Sequence, residues 1–146
     1  MADETMPTID QMLCFAVYSA GHAFTRFYKP RLDALELTYP QYLVFLVLWE
    51  RDDLTVKALG DKLFLDSGTI TPLIKRLEAR GLVERRRDED DERQVRIRLT
   101  AAGRALKGKA EAIPLAVVEG TGLPLDGVEA LRRELLALRE RLDRIG

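Results

Sequence analysis

The sequence predicts a mainly α-helical fold carrying one small β-hairpin, and three patterns in its 146 residues predict it. Apolar residues recur at three- and four-residue steps over long stretches, the segment Val95 to Leu99 alternates apolar with polar positions, and Val128 to Ile145 keeps a heptad stripe. A composition of 47% hydrophobic and 32% charged residues supports a real core and excludes a disordered chain. The longest apolar run, Leu43 to Trp49, is far short of the roughly 20 residues a membrane-spanning helix needs. The acidic N-terminus, MADETMPTID, lacks the basic and apolar regions of a secretion signal, so a cytoplasmic chain with no membrane partner is expected. One cysteine, Cys14, and one histidine, His22, exclude an internal disulfide framework and a four-ligand zinc site, so neither metal nor cofactor is expected.

The elements follow in order. Thr8 and Gln11 have capping-box spacing and predict the start of a helix reaching roughly Leu35, with Ile9, Leu13, Ala16, Ala20, Ala23, Phe24 and Phe27 on one buried face. Thr38 and Gln41 repeat the box, with Pro40 in the first turn, before a helix that is apolar nearly all round and belongs in the core. After the Arg51-Asp52-Asp53 turn, a short helix over about Val56 to Leu63 is predicted. A second, capped by Asp66 or Ser67, runs through Leu73, Ile74 and Leu77 to a stop at Gly81. Such a closely joined pair is a helix-turn-helix. Pro72 argues for a break, yet the helix is retained with room for a kink. Leu82 to Arg87, the charged tip Asp88 to Glu92, and Arg93 to Leu99 read as a hairpin, which directly after a helix-turn-helix is a wing. Thr100 caps a further helix, which Pro114 disturbs and the stretch Gly120 to Pro124 ends. Asp126 and Glu129 form a last box before the stripe Val128, Leu131, Leu135, Leu138, Leu142 and Ile145, which is narrow enough to seek a helix of a second subunit.

The net charge of −1 conceals an uneven distribution: residues 51–110 carry +4 between flanks of −3 and −2. A basic working face on an acidic scaffold suits a polyanion. In the second helix of the pair Ser67, Gly68, Thr69 and Thr71 are small enough to approach base edges and phosphates, and Lys75 and Arg76 neutralise the backbone. The plainer alternative is a solvated polar face. Contact with double-stranded DNA is favoured because the wing, with Arg85, Arg86, Arg87 and Arg93, falls where it reaches an adjacent minor groove. The acidic tip must then point outward or pair locally with Arg93, holding that side chain in one orientation.

The run from Leu54 to Gly103, ending in DERQVRIRLTAAG, resembles the winged helix of the MarR family of bacterial regulators. The segments QMLCFAVYSA and LTYPQYLVFLVLWE resemble its organic hydroperoxide resistance branch, the OhrR repressors. The resemblance spans nearly the whole chain, including Cys14, Tyr28, Tyr39 and the DER of the wing, and a TP step inside the recognition helix is similar to that branch's own pattern. It implies that Cys14 is a peroxide-sensing thiol and that Tyr28 and Tyr39 are its hydrogen-bonding partners from the other subunit. The spacing agrees: 14 residues along one helix is about 21 Å at ~1.5 Å per residue, so Tyr28 does not reach Cys14 of its own chain. Residue chemistry alone leaves Cys14 open between a buried small hydrophobe and a reactive thiol in the second turn of its helix. His22 reads as structural or solvated.

The resulting expectation is one MarR-like winged helix-turn-helix domain over 1–146, with DNA binding in 37–103 and dimerisation helices at 1–36 and 104–146. It would act as a homodimeric repressor on an inverted-repeat operator, releasing DNA when an organic hydroperoxide oxidises Cys14 and a small cellular thiol caps the product, since no second cysteine is present. The alternative is the same repressor released by a reversible phenolic ligand at the dimer interface, with Cys14 structural. A peroxidase is disfavoured, because no Pro, Thr and Arg constellation surrounds Cys14.

Overall fold

The reciprocal cap at Thr38 and Gln41 forms, and it starts the helix around which the core is built. The Thr38 hydroxyl accepts from the Gln41 amide at 3.3 Å, and the Gln41 side chain accepts from the Thr38 amide at 3.0 Å. Helix α2 then runs Tyr39–Glu50 with Pro40 in its first turn. Tyr42, Val44, Phe45, Val47 and Leu48 are all buried, as an all-round apolar sequence requires. The computed structural model describes residues 6–145. Its chain divides into a unit that ends at Ala110 and a unit that begins at Glu111.

Helix α1, Leu13–Asp33, departs from expectation in its start, its end and its burial. The Gln11 side chain does accept from the Thr8 amide at 3.0 Å, but the Gln11 amide donates to the Thr8 carbonyl, closing only a 3-10 turn at Ile9–Gln11. The α-helix restarts beyond Met12, which puts Cys14 in its first turn rather than the second, and it ends before Leu35. Nor is the apolar face buried within the chain: Ile9, Leu13 and Phe24 are exposed, and Leu32 alone in α1 is buried. The physical reason is that α1 meets α2 through its C-terminal end, where Tyr28 packs on Tyr39 and Tyr42. Leu32, Leu35 and Leu37 close that corner, with the Leu35 and Leu37 amides both donating to the Leu32 carbonyl.

Helix α3, Val56–Leu63, is capped by the Thr55 hydroxyl, which accepts from the Ala58 amide at 3.0 Å. Helix α4, Ser67–Ala79, begins at Asp66, whose carboxylate accepts from the Thr69 amide at 2.8 Å. Ile70, Leu73, Ile74 and Leu77 form its buried face, and that packing carries the helix through Pro72, which lacks an amide to offer the Gly68 carbonyl. The hairpin is β2, Val83–Arg87, and β3, Val95–Leu99, paired antiparallel with Val83 opposite Leu99 and Arg86 opposite Arg96. Ile97 and Leu99 face the core. A short strand that the sequence reading missed, β1, Leu54–Thr55, pairs on the other side of β3 to give the order β1-β3-β2.

Thr100 caps α5, Ala101–Ala110, by accepting from the Gly103 amide at 3.1 Å. Gly103 is required there, because a Cβ would sit 2.1 Å from the Leu82 carbonyl oxygen. In the second unit Pro114 opens a new helix, α6, Ile113–Gly120, and the last helix, α7, spans Leu125–Ile145. The expected Asp126 and Glu129 box does not form. The helix starts two residues earlier, with the Val128 amide on the Pro124 carbonyl, and the Glu129 carboxylate is taken by Arg132 and Arg133. No residue of α7 is buried, and Leu131, Leu135, Leu142 and Ile145 of the stripe are exposed.

Candidate functional site

The N-terminal turns of α4 present Ser67, Gly68 and Thr69 to solvent, with Thr71 half-buried and Lys75 and Arg76 exposed farther along. Asp66 beneath them is held below the usual carboxylate range by hydrogen bonds from the Thr69 side chain and amide, so the cap stays ionised. Ser67, Thr71 and the wing residue Arg93 line one cleft of about 530 Å³, together with Lys57 of α3. The structure thus brings helix and wing residues of the predicted DNA surface to one place.

Within the wing, the expected local pairing is present. Arg93 donates through Nε to Asp91 Oδ1 at 3.1 Å and through Nη2 to Asp91 Oδ2 at 3.3 Å, while its side chain stays 91% exposed. That pairing holds the Asp91 carboxyl below its ordinary value. The other wing arginines are more engaged than their sequence suggests. Arg85 turns back to Glu78 of α4, and Arg87 donates to the Glu92 carbonyl. Arg86 lies 3.9 Å from Asp53, which also gathers Arg98 at 3.6 Å and Arg96 at 3.0 Å, and Arg96 donates again to the Asp53 carbonyl at 2.7 Å.

Sequence reasoning treated Asp52 and Asp53 as a plain turn. In the structure they organise the wing root. The Asp52 carboxylate accepts from the Asp53 and Leu99 amides at 2.8 and 2.9 Å, while Asp53 holds a left-handed φ of 59°. The available signal was the position of two carboxylates just ahead of a segment that pairs with the Arg-Ile-Arg run of β3.

The thiol region has two separated parts. Cys14 is exposed at an apolar cleft of about 550 Å³ lined by Ile9, Met12, Phe15 and Tyr18 among others. Tyr28 and Tyr39 stand together, ring centroids 4.9 Å apart, with Tyr42 at 5.6 Å from Tyr28. Burial pushes the Tyr28 hydroxyl up to about 12, with Tyr39 and Tyr42 adding to the shift, and burial raises Tyr39 as well. Helix α1 is continuous between Cys14 and Tyr28, so about 21 Å separates them within one chain. His22 is exposed, and its ring rests 4.4 Å from that of Tyr18.

Proteins with this arrangement of helices and wing are known. A family model for the transcriptional regulators SarA/Rot matches residues 26–110. The HTH-type transcriptional regulator TtmR of Methylorubrum extorquens (strain PA1) is 57% identical over 135 residues, covering 92% of this chain and 69% of its own length. The organic hydroperoxide resistance transcriptional regulator of Bacillus subtilis (strain 168) is 46% identical over 134 residues, covering 92% and 91%. The chain belongs to the MarR family of transcriptional regulators. It is similar to the organic hydroperoxide resistance branch of that family, whose members are regulators and not enzymes. The MarR-family fold extends to reduced AbfR bound to DNA, at 38% identity and TM-score 0.75 over 89% of this chain and 91% of that one. It extends equally to overoxidized AbfR bound to DNA, at 37% identity and TM-score 0.76 over 89% and 90%.

Proposed function

We propose that this MarR-family regulator is a cytoplasmic, homodimeric repressor that binds an inverted-repeat operator and releases it when an organic hydroperoxide oxidises Cys14. The observation that carries the reading is the division of the thiol region. Cys14 stands at one end of a continuous α1 and the Tyr28 and Tyr39 pair at the other, so antiparallel packing of two α1 helices brings each thiol to the partner's phenols. The exposed apolar faces of α1 and α7 supply the surface for that packing, with residues 1–36 and 104–146 as the dimerisation region. On DNA, Ser67, Gly68, Thr69 and Thr71 approach the major groove, Lys75, Arg76 and Arg86 the phosphates, and Arg93 the minor groove. Two recognition helices then meet half-sites about 10 bp apart.

In the chemical step the Cys14 thiolate attacks the distal oxygen of the hydroperoxide. An S–O bond forms, the O–O bond breaks, sulfur loses two electrons and an alcohol leaves. The partner's phenols donate hydrogen bonds to the sulfur and hold it in place for this attack. A small cellular thiol then displaces water from the sulfenic acid to give a mixed disulfide, whose bulk at the interface moves the recognition helices out of register with successive major grooves. Overoxidized AbfR is a DNA-bound relative, so for this chain the mixed disulfide, rather than overoxidation, is assigned the release. The apolar cleft beside Cys14 supports a second reading, release by a reversible phenolic ligand.

The test uses DNA selected from a random pool by the reduced protein. Cumene hydroperoxide followed by a small thiol should abolish binding, reductant should restore it, and Cys14→Ser should bind and ignore the oxidant. Release by a phenolic acid alone, without oxidant and unaffected by reductant, favours the phenolic reading, and an unchanged response to oxidant in Cys14→Ser removes Cys14 from the mechanism.

A further inference from the structure

Arg80 stands where the recognition helix meets the wing. It caps the C-terminus of α4 and precedes Gly81, whose φ of 72° turns the chain toward β2 and whose carbonyl accepts from the Thr100 hydroxyl at 2.7 Å. Its side chain leaves this junction altogether. Nη1 donates to the backbone carbonyl of Glu36, and Nη2 lies 3.9 Å from the Glu36 carboxylate.

Glu36 is the pivot of the corner between α1 and α2. Its φ of 56° is left-handed, a conformation a residue with a side chain holds only where its surroundings fix it. The surroundings do so here, because Leu35 and Leu37 on either side are buried and the Leu37 amide donates to the Leu32 carbonyl at 3.0 Å. The corner therefore has one shape, and a shift of the end of α1 carries the Glu36 carbonyl with it. Tyr39 lies three residues beyond Glu36 and packs on Tyr28 of α1, so the phenol pair and the Arg80 acceptor share this corner.

We propose that Arg80 is the positioning residue that couples the tyrosine corner to the recognition helix, so that displacement at Tyr28 and Tyr39 reaches the DNA-reading surface through its grip on Glu36. The proposal rests on the thiol reading above for the source of the displacement, but the coupling itself is a property of the fold. A plainer role for Arg80 is a cation at the C-terminus of α4, favourable to the helix dipole. Arg80→Lys keeps that charge and loses the planar fork, so it separates the two roles, while Arg80→Met removes both.

Two readouts decide it. Coupling is reciprocal, so selected DNA bound to the wild-type protein should slow hydrogen exchange at the Leu35 and Leu37 amides as well as in 67–99. In Arg80→Met and Arg80→Lys the slowing should vanish at the corner and persist in 67–99, with reduced-state DNA affinity within about threefold of wild type. The oxidant-driven rise in Kd, measured with cumene hydroperoxide and a small thiol, should be about tenfold smaller in both variants than in wild type. If Arg80→Met does not fold, Arg80→Lys carries the same measurements. Undiminished corner protection, or an undiminished rise in Kd, in both variants overturns the proposal. A wild-type protein that ignores the oxidant overturns the thiol reading instead, and the exchange experiment still decides the coupling.

Discussion

Helices α2 and α7 are both rich in leucine, yet they meet opposite fates in the single chain. In α2, Tyr42, Val44, Phe45 and Leu48 are between 0 and 1% exposed, whereas in α7 Leu131, Leu135 and Leu142 are 47, 43 and 60% exposed. The apolar start of α1 shares the condition of α7, with Leu13 at 64%. The difference teaches that the helix-turn-helix part carries its own core, while the apolar faces of α1 and α7 are left uncovered in the single chain, which is the surface the proposed homodimer would cover. An exposed apolar stripe of this kind is the surface type that protein–protein interfaces cover.

The largest effect that sharpens this contrast is in the core. Phe45→Ala should cost about 3–5 kcal/mol, read as a lowering of the urea midpoint relative to wild type at every protein concentration. Next is the stripe. Leu135→Glu should weaken self-association by about 2 kcal/mol, roughly 30-fold, and leave the unfolding of dilute chains within about 0.5 kcal/mol of wild type. Sedimentation across a concentration series checks both figures, and equal loss of folding in the two variants would erase the distinction between the regions.

Smaller effects test the corner that joins them. Thr38→Ala removes one half of the reciprocal cap and should lower stability by about 1 kcal/mol by denaturant titration, with Thr38→Ser close to wild type. A further effect is confined to alkaline pH. The Tyr28 hydroxyl is raised from 10.0 to about 12 in the folded chain, so the stability it contributes is complete below pH 10 and is lost as pH climbs toward 12. Ultraviolet titration should show a tyrosine ionising near pH 12 that Tyr28→Phe removes, and loss of stability across that window should be shallower in the variant.

What was legible in the sequence was local. The Thr38 and Gln41 box, the Asp66 cap and the alternation from Val95 to Leu99 each depend on residues a few positions apart, and each is present as read. Where local signals compete, reading fails: Glu129 matches a capping box, but Arg132 and Arg133 on its own helix face take its carboxylate. Periodicity identified the apolar face of α1 without saying what covers it, because 3.6-residue spacing reports a face and not its partner. The Asp53 hub and the Arg80 contact were missed for a different reason. Both join residues far apart in the chain, Arg80 with Glu36 and Asp53 with Arg86, Arg96 and Arg98, and the left-handed backbone at Glu36 leaves no mark in residue type.

The claim that sensing is assembled between two chains is tested most directly by a mixed dimer of one Cys14→Ser chain and one chain carrying Tyr28→Phe and Tyr39→Phe. Its single thiol belongs to a chain without the two hydroxyls and faces a partner that retains them. Cys14 should react with cumene hydroperoxide at the wild-type rate, measured by mass spectrometry of the trapped sulfenic acid. A rate equal to that of the Tyr28→Phe, Tyr39→Phe homodimer would place thiol and phenols in one chain and contradict the account.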